Sequence, residues 1–188
     1  MSIPRKILLC AALATSTACA TVETEGDGRD VVTTATIPAP PGRVLHAFLD
    51  TDDLAGWWKV SRSSVDPRIG GTWAVTWDDY GDEKTNHVWT GVIREIGPRR
   101  VLIDNIVMVE PGRPLFAPLQ LEIVVRPADA GSYLEVVHRG YGYGTDWDWI
   151  HAVVVDGWEH VLGDLRDWFA AQDATATRLR DAVDPGGE

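Results

Sequence analysis

Between Thr72 and Arg139 the apolar residues alternate with polar ones in short runs, whereas from Ile150 onward they recur every three or four positions. That change of period, from 2 to 3.6, predicts a sheet with one covered face followed by one long amphipathic helix. Ile150, Val153, Val154, Gly157, Trp158, Val161, Leu162, Leu165, Trp168 and Phe169 fall on a single helical face. Thr145 or Asp146 is positioned to cap this helix, and Asp148 adds favourable charge to its first turn. From Trp147 to Ala170 it would measure about 36 Å at ~1.5 Å per residue, enough to cross a whole sheet.

The strands expected ahead of it are Val60 to Val65, Thr72 to Trp77, His87 to Ile96, Val101 to Val109, Leu119 to Arg126 and Tyr133 to Arg139. In the last two, Leu121, Ile123 and Val125 share a face with Leu134, Val136 and His138, while Glu122 and Glu135 take the other. Upstream, Val31 to Ile37 reads as a strand. Pro40-Pro41 opens a short helix with Val44, Leu45 and Phe48 as its stripe. Thr51 is expected to cap a second helix over Asp52 to Gly56, where Gly56 stops it. Gly70-Gly71 marks a tight turn. The predicted order is β-α-α-β6-α, an α+β arrangement with its helices on one sheet face.

Composition narrows the function classes. A formal net charge of −11 over 188 residues leaves no basic surface for nucleic acid. No nucleophile elbow, phosphate loop or dinucleotide fingerprint appears, nothing asks for a cofactor, and no His or Cys spacing suits a metal. Asp78, Asp79, Asp82 and Glu83 are oxygen-rich but lack the alternation of a calcium loop, so they read as a solvated hairpin tip.

The ends lie outside the domain. Arg5-Lys6, the apolar run Ile7 to Ala14 and Ala18-Cys19-Ala20 form an export signal cleaved after Ala20. The alternative is a lipoprotein leader ending before Cys19, whose lipid would be the chain's one link to a membrane, although Ser16 stands where such leaders carry Leu. A third reading keeps the protein in the cytoplasm behind a disordered start. Residues 21–30 read as a flexible linker, 31–170 as the folded domain and 171–188 as a polar, frayed tail.

Six short motifs occur in order: Pro38-Ala39-Pro40-Pro41, Leu54-Ala55-Gly56-Trp57-Trp58, Asp66-Pro67-Arg68-Ile69-Gly70-Gly71-Thr72-Trp73, Gly91-Val92-Ile93-Arg94-Glu95-Ile96, His138-Arg139-Gly140-Tyr141 and Gly157-Trp158-Glu159-His160-Val161-Leu162. With them, Val31 to Ala170 resembles the Hsp90-ATPase-activator-homologue branch of the START-like, helix-grip superfamily (SRPBCC). The resemblance implies a curved antiparallel sheet gripping the last helix, with a cavity between the two. Proteins of this fold include lipid and hormone binders, aromatic polyketide cyclases and chaperone partners, so fold alone does not assign function.

Nine tryptophans, an unusual number for this length, suit such a cavity. Trp58, Trp73, Trp77, Trp89, His138, Tyr141, Trp147 and Trp158 are the candidate ligand-binding residues. Trp58, Trp73 and Trp158 would fill the space between helix and sheet, and Gly157 would let the helix approach closely. Tyr141, Tyr143, Trp147 and Trp149 would form either a lid or a plug. His138 is expected either at the cavity mouth as acid, base or donor, or bonded to a loop carbonyl. The leading expectation is a non-catalytic domain holding a small apolar or aromatic molecule. The alternatives are a proton-transfer enzyme with His138 or a carboxylate as base, and a protein-interaction module marked by an exposed apolar patch.

Overall fold

Eight strands and three helices follow in chain order: β1 (Thr21–Glu23), β2 (Val31–Ile37), α1 (Pro41–His46), α2 (Thr51–Trp57), β3 (Arg62–Val65), β4 (Thr72–Trp77), β5 (His87–Ile96), β6 (Arg100–Val109), β7 (Phe116–Ala128), β8 (Gly131–Arg139) and α3 (Thr145–Val183). This computed structural model describes residues 21–23, 29–78 and 86–183. The leader with Cys19, and Asp79, Asp82 and Glu83 of the acidic loop, lie outside the described residues. The strands form one antiparallel sheet in the order β1-β2-β8-β7-β6-β5-β4-β3. All seven expected strands are present. The eighth, β1, pairs with the edge of β2 from within the stretch read as a linker.

Strand β2 closes the fold by pairing with β8 from Val31↔His138 to Ile37↔Ser132. Register shifts between β5 and β6, and between β6 and β7 around Asn105 (φ 52°), bend the sheet toward α3. On the inner face, Leu121, Ile123, Val125, Leu134, Val136 and His138 are all buried, as their alternation predicts. On the outer face, Glu122 accepts from Arg100 Nε and Arg139 Nη1 at 2.6 Å each. Partial burial pushes its carboxyl up, but the two guanidiniums outweigh that and hold it below the usual range.

Helix α3 buries Ile150, Val154, Trp158, Leu162, Leu165 and Phe169 against the sheet, an i, i+4 ladder with one step of three. It starts at Thr145, with the Asp148 N–H donating to the Gly144 carbonyl at 2.8 Å. Thr145 and Asp146 thus lie inside the helix, and Asp146 and Asp148 add charge to its first turn and pair with Arg113 (2.7 Å) and Arg29 (2.9 Å). Its 39 residues, about 58 Å at ~1.5 Å each, run thirteen beyond Ala170. No apolar stripe marks that extension, and its described side chains are exposed. Alanines and arginines propagate a helix already nucleated by packing, which needs no stripe of its own. Among the described residues, no helix is long and apolar enough to cross a membrane.

The start of α2 corrects the expected cap. Asp50, not Thr51, accepts from the main-chain N–H groups of Asp52 and Asp53, both at 3.0 Å, and the helix runs past Gly56 to Trp57. Asp50→Ala is expected to cost about 1 kcal/mol and lower Tm by roughly 2–4 °C, measured by thermal denaturation.

Candidate functional site

The ends of two short helices leave carbonyls without helical partners, and tryptophans satisfy them. Trp57 Nε1 donates to Ala47 O (2.9 Å), Trp73 Nε1 to Phe48 O (2.9 Å) and Trp77 Nε1 to Trp58 O (3.2 Å). These bonds fix the ring orientations at the hub of an indole cluster. Trp58 stacks on Trp57 (5.1 Å, 13°) and meets Trp158 (5.2 Å), Trp77 (5.3 Å) and Trp89 (5.8 Å). Lys59, in the left-handed region at φ 56°, then turns the chain from α2 toward β3.

Beside this cluster a cavity of about 560 Å³ lies between α3 and the β4–β5–β6 end of the sheet. Trp77, His87 and Trp89 line it from the sheet, Trp58 from the α2 end, and Trp149, Val154, Trp158 and Val161 from the helix. Exposed Lys59, Val153 and His160 form its rim. Gly157 also lines it, and a Cβ built there would meet nothing within 4 Å. The close helix–sheet approach expected at Gly157 is therefore absent. The missing side chain keeps space open instead. Val153, assigned to the buried face by periodicity, is 44 % exposed because it looks onto this opening.

One buried carboxylate is built into the wall. The β5–β6 register that opposes Val88 to Val109 sets Glu110 across from His87. His87 Nδ1 hydrogen-bonds Glu110 Oε2, and Trp89 Nε1 donates to Glu110 Oε1 at 3.3 Å. His87 and Trp89, two apart on β5, point the same way. Glu110 is only 7 % exposed.

Of the eight candidate residues, Trp58, Trp77, Trp89 and Trp158 line the cavity and the other four do not. Trp73 is buried in the core behind Trp58. Trp147 packs on Phe116 at 5.1 Å and near Tyr141 at 6.4 Å. Two helix positions turn the chain about 200°, so Trp149 reaches the cavity while Trp147 faces away. The aromatic loop is accordingly neither one lid nor one plug. Tyr141 is buried, Tyr143 is exposed under Arg29 (5.1 Å), and only Trp149 borders the opening.

His138 is at neither expected location. It is fully buried, its Nδ1 lies 3.0 Å from Tyr141 Oη, and its Nε2 has no partner. Burial lowers its pKa from 6.5 to about 3 and raises that of Tyr141. A neutral imidazole sealed beneath Trp89 (5.5 Å between rings) cannot exchange protons with a molecule in the cavity. His87 and Glu110 are not singled out by the sequence, and Trp149 enters there only as part of the lid-or-plug loop. The one available signal was the acidic residue directly after β6, which strand register alone brings opposite a histidine.

Among the described residues no group of three His, Cys, Asp or Glu side chains converges to hold a metal. No curated protein matches the chain. Solved structures match in fold. A protein from Chromobacterium violaceum is 23% identical over 74% of this chain and 95% of its own, with a TM-score of 0.61. One from Rhodobacter sphaeroides is 17% identical over 81% and 99%, at 0.64. An AHSA1-like protein from Aeromonas hydrophila is 18% identical over 77% and 94%, at 0.59. The family profile described as Activator of Hsp90 ATPase homolog 1-like protein matches residues 38–170, from the turn before α1 through the packed part of α3. With that match covering most of the chain, and with the helix-grip architecture around it, the protein belongs to the Activator of Hsp90 ATPase homolog 1-like family.

Proposed function

We propose that this chain is a non-catalytic binding domain whose cavity between α3 and the sheet holds a small apolar or aromatic molecule. The observation that carries the reading is a 560 Å³ space walled by five indoles and opened by a glycine on the facing helix. Such a volume suits a ligand of modest size, held by apolar burial and oriented by a few polar groups. The proton-transfer alternative loses its histidine, since His138 is sealed away from the cavity, and is left with a carboxylate as base. The interaction-module alternative draws less support. Among the described residues, the large exposed apolar side chains, Ile69, Val109, Leu115, Tyr143 and Val153, belong to five different strands, loops and helices. The leader pattern of residues 1–20 supports export as the setting, with Cys19 as the lipid site if it is processed as a lipoprotein.

Native mass spectrometry and displacement of an environment-sensitive dye test the reading, and Gly157→Leu sharpens it. The added side chain enters the cavity while replacing a poor helix former, so stability is expected to hold or rise by up to about 1 kcal/mol. Dye binding is expected to be lost. Gly163→Leu, at a helix position outside the cavity with equal space for a Cβ, should match it in stability and leave binding intact. Unaltered dye binding in Gly157→Leu would remove the cavity from the argument.

A further inference from the structure

We infer that the occupant of this cavity is an organic cation: a positively charged nitrogen carried on an apolar body. The inference rests on the cavity being a ligand site and adds the charge of what it holds. Two independent features of the wall agree on that charge.

The first is the arrangement of the indoles. Trp58, Trp77 and Trp89 meet at 71°, 85° and 72°, so they form a corner of three planes rather than a flat stack. A flat aromatic ligand can lie along one such plane, but a rounded cation is attracted to several ring faces at once. Trp149 already shows this contact on the protein's own side chains, with Arg113 Cζ 4.3 Å from its ring centroid.

The second is the charge of the polar lining. Glu110 is nearly buried, and its hydrogen bonds come from His87 and an indole N–H, with no guanidinium or ammonium among them. Asp78 and Asp164 stand nearer the opening, where Arg62 (2.9 Å) and His160 (3.7 Å) attend them. Among the described residues of the lining, Lys59 is the one ammonium, and it is turned onto the Gly56 carbonyl. An anionic ligand would meet three carboxylates in a partly desolvated space, and a neutral one would leave Glu110 only its hydrogen bonds with His87 and Trp89. A cation satisfies both Glu110 and the ring faces. The net charge of −11 also raises the local concentration of cations.

The test uses the full chain at pH 8 with three probes of similar size: benzyltrimethylammonium, its neutral carbon isostere neopentylbenzene, and benzoate. Binding is read by indole fluorescence and calorimetry. The cation is expected to bind about tenfold or more tightly than the isostere, with benzoate weakest. Glu110→Gln, its fold checked by circular dichroism, should weaken the cation several-fold toward, but not to, the level of the isostere, and leave the isostere unchanged. Trp77→Leu should weaken the cation more than the isostere, and added salt should weaken only the cation. Equal or tighter binding of the isostere, or indifference of the cation to Glu110→Gln, overturns the cation assignment while apolar binding stands. Failure of all three probes to bind removes the binding reading along with it.

Discussion

Trp73→Ala is expected to bring the domain close to global unfolding. The side chain is fully buried, and its removal leaves a cavity costing roughly 3–5 kcal/mol. It also strands the Phe48 carbonyl, whose 2.9 Å bond from Trp73 Nε1 ties the turn after α1 to β4, at about 1–3 kcal/mol more. Domains of this kind have only about 5–15 kcal/mol in total. Trp73→Phe separates the two contributions, because it keeps much of the ring and removes the donor. Its loss in urea denaturation should fall well below that of the alanine variant but remain above 1 kcal/mol on the scale of an unsatisfied buried carbonyl. Trp77→Phe makes the comparable deletion at a half-buried indole beside the cavity, whose bond to the Trp58 carbonyl is longer at 3.2 Å, so a smaller loss is expected. Equal losses at both positions would refute the role given to the buried bond.

Acidification is expected to destabilise the fold well before its carboxylates titrate. His138 has a pKa of about 3 in the folded state against 6.5 when unfolded, because burial penalises its charged form. Below pH 6.5 the unfolded chain takes up a proton that the native state refuses, so stability falls as pH falls. The slope is about 1.4 kcal/mol per pH unit, or roughly 3 kcal/mol by pH 4.5, and it flattens once the folded pKa is reached. His151, lowered by partial burial and by Arg29, adds in the same direction. Asp53 and Glu122, which the neighbouring arginines hold below the usual carboxylate range against the upward push of burial, lose their contribution only at lower pH. His138→Gln isolates the effect, since an amide can still meet Tyr141 Oη but does not titrate. Between pH 6.5 and 4.5 its stability should vary much less than that of the parent. An unchanged slope would show that His138 is not the residue responsible.

Much of the architecture was legible from residue order. Strand β5 spans His87–Ile96 and β4 spans Thr72–Trp77, as their alternation predicts, because a residue facing the core must be apolar and its neighbours facing water need not be. The misreadings were local competitions. Asp50 and Thr51 are both competent caps, and the backbone turn after α1 decides between them. The far end of α3 lacks an apolar stripe and its described side chains are exposed, so periodicity could not report it. In the cavity, burial and lining were confused. Trp73 and Trp77 share a strand and a face, yet one fills the core and the other borders the opening, since they stand at opposite ends of β4.

What the linear order of residues determined alone was the sheet-then-helix architecture, the inward faces of β7, β8 and α3, and the abundance of indoles between them. Periodicity carries that information because each element's covered face is set by its own repeat. What only the tertiary structure decided was which indoles surround a space and what else faces it. Glu110 meets His87 through strand register, Trp149 differs from Trp147 by helical phase, and Gly157 matters through what is missing opposite it. A void is a property of several surfaces at once, and no single stretch of chain encodes it.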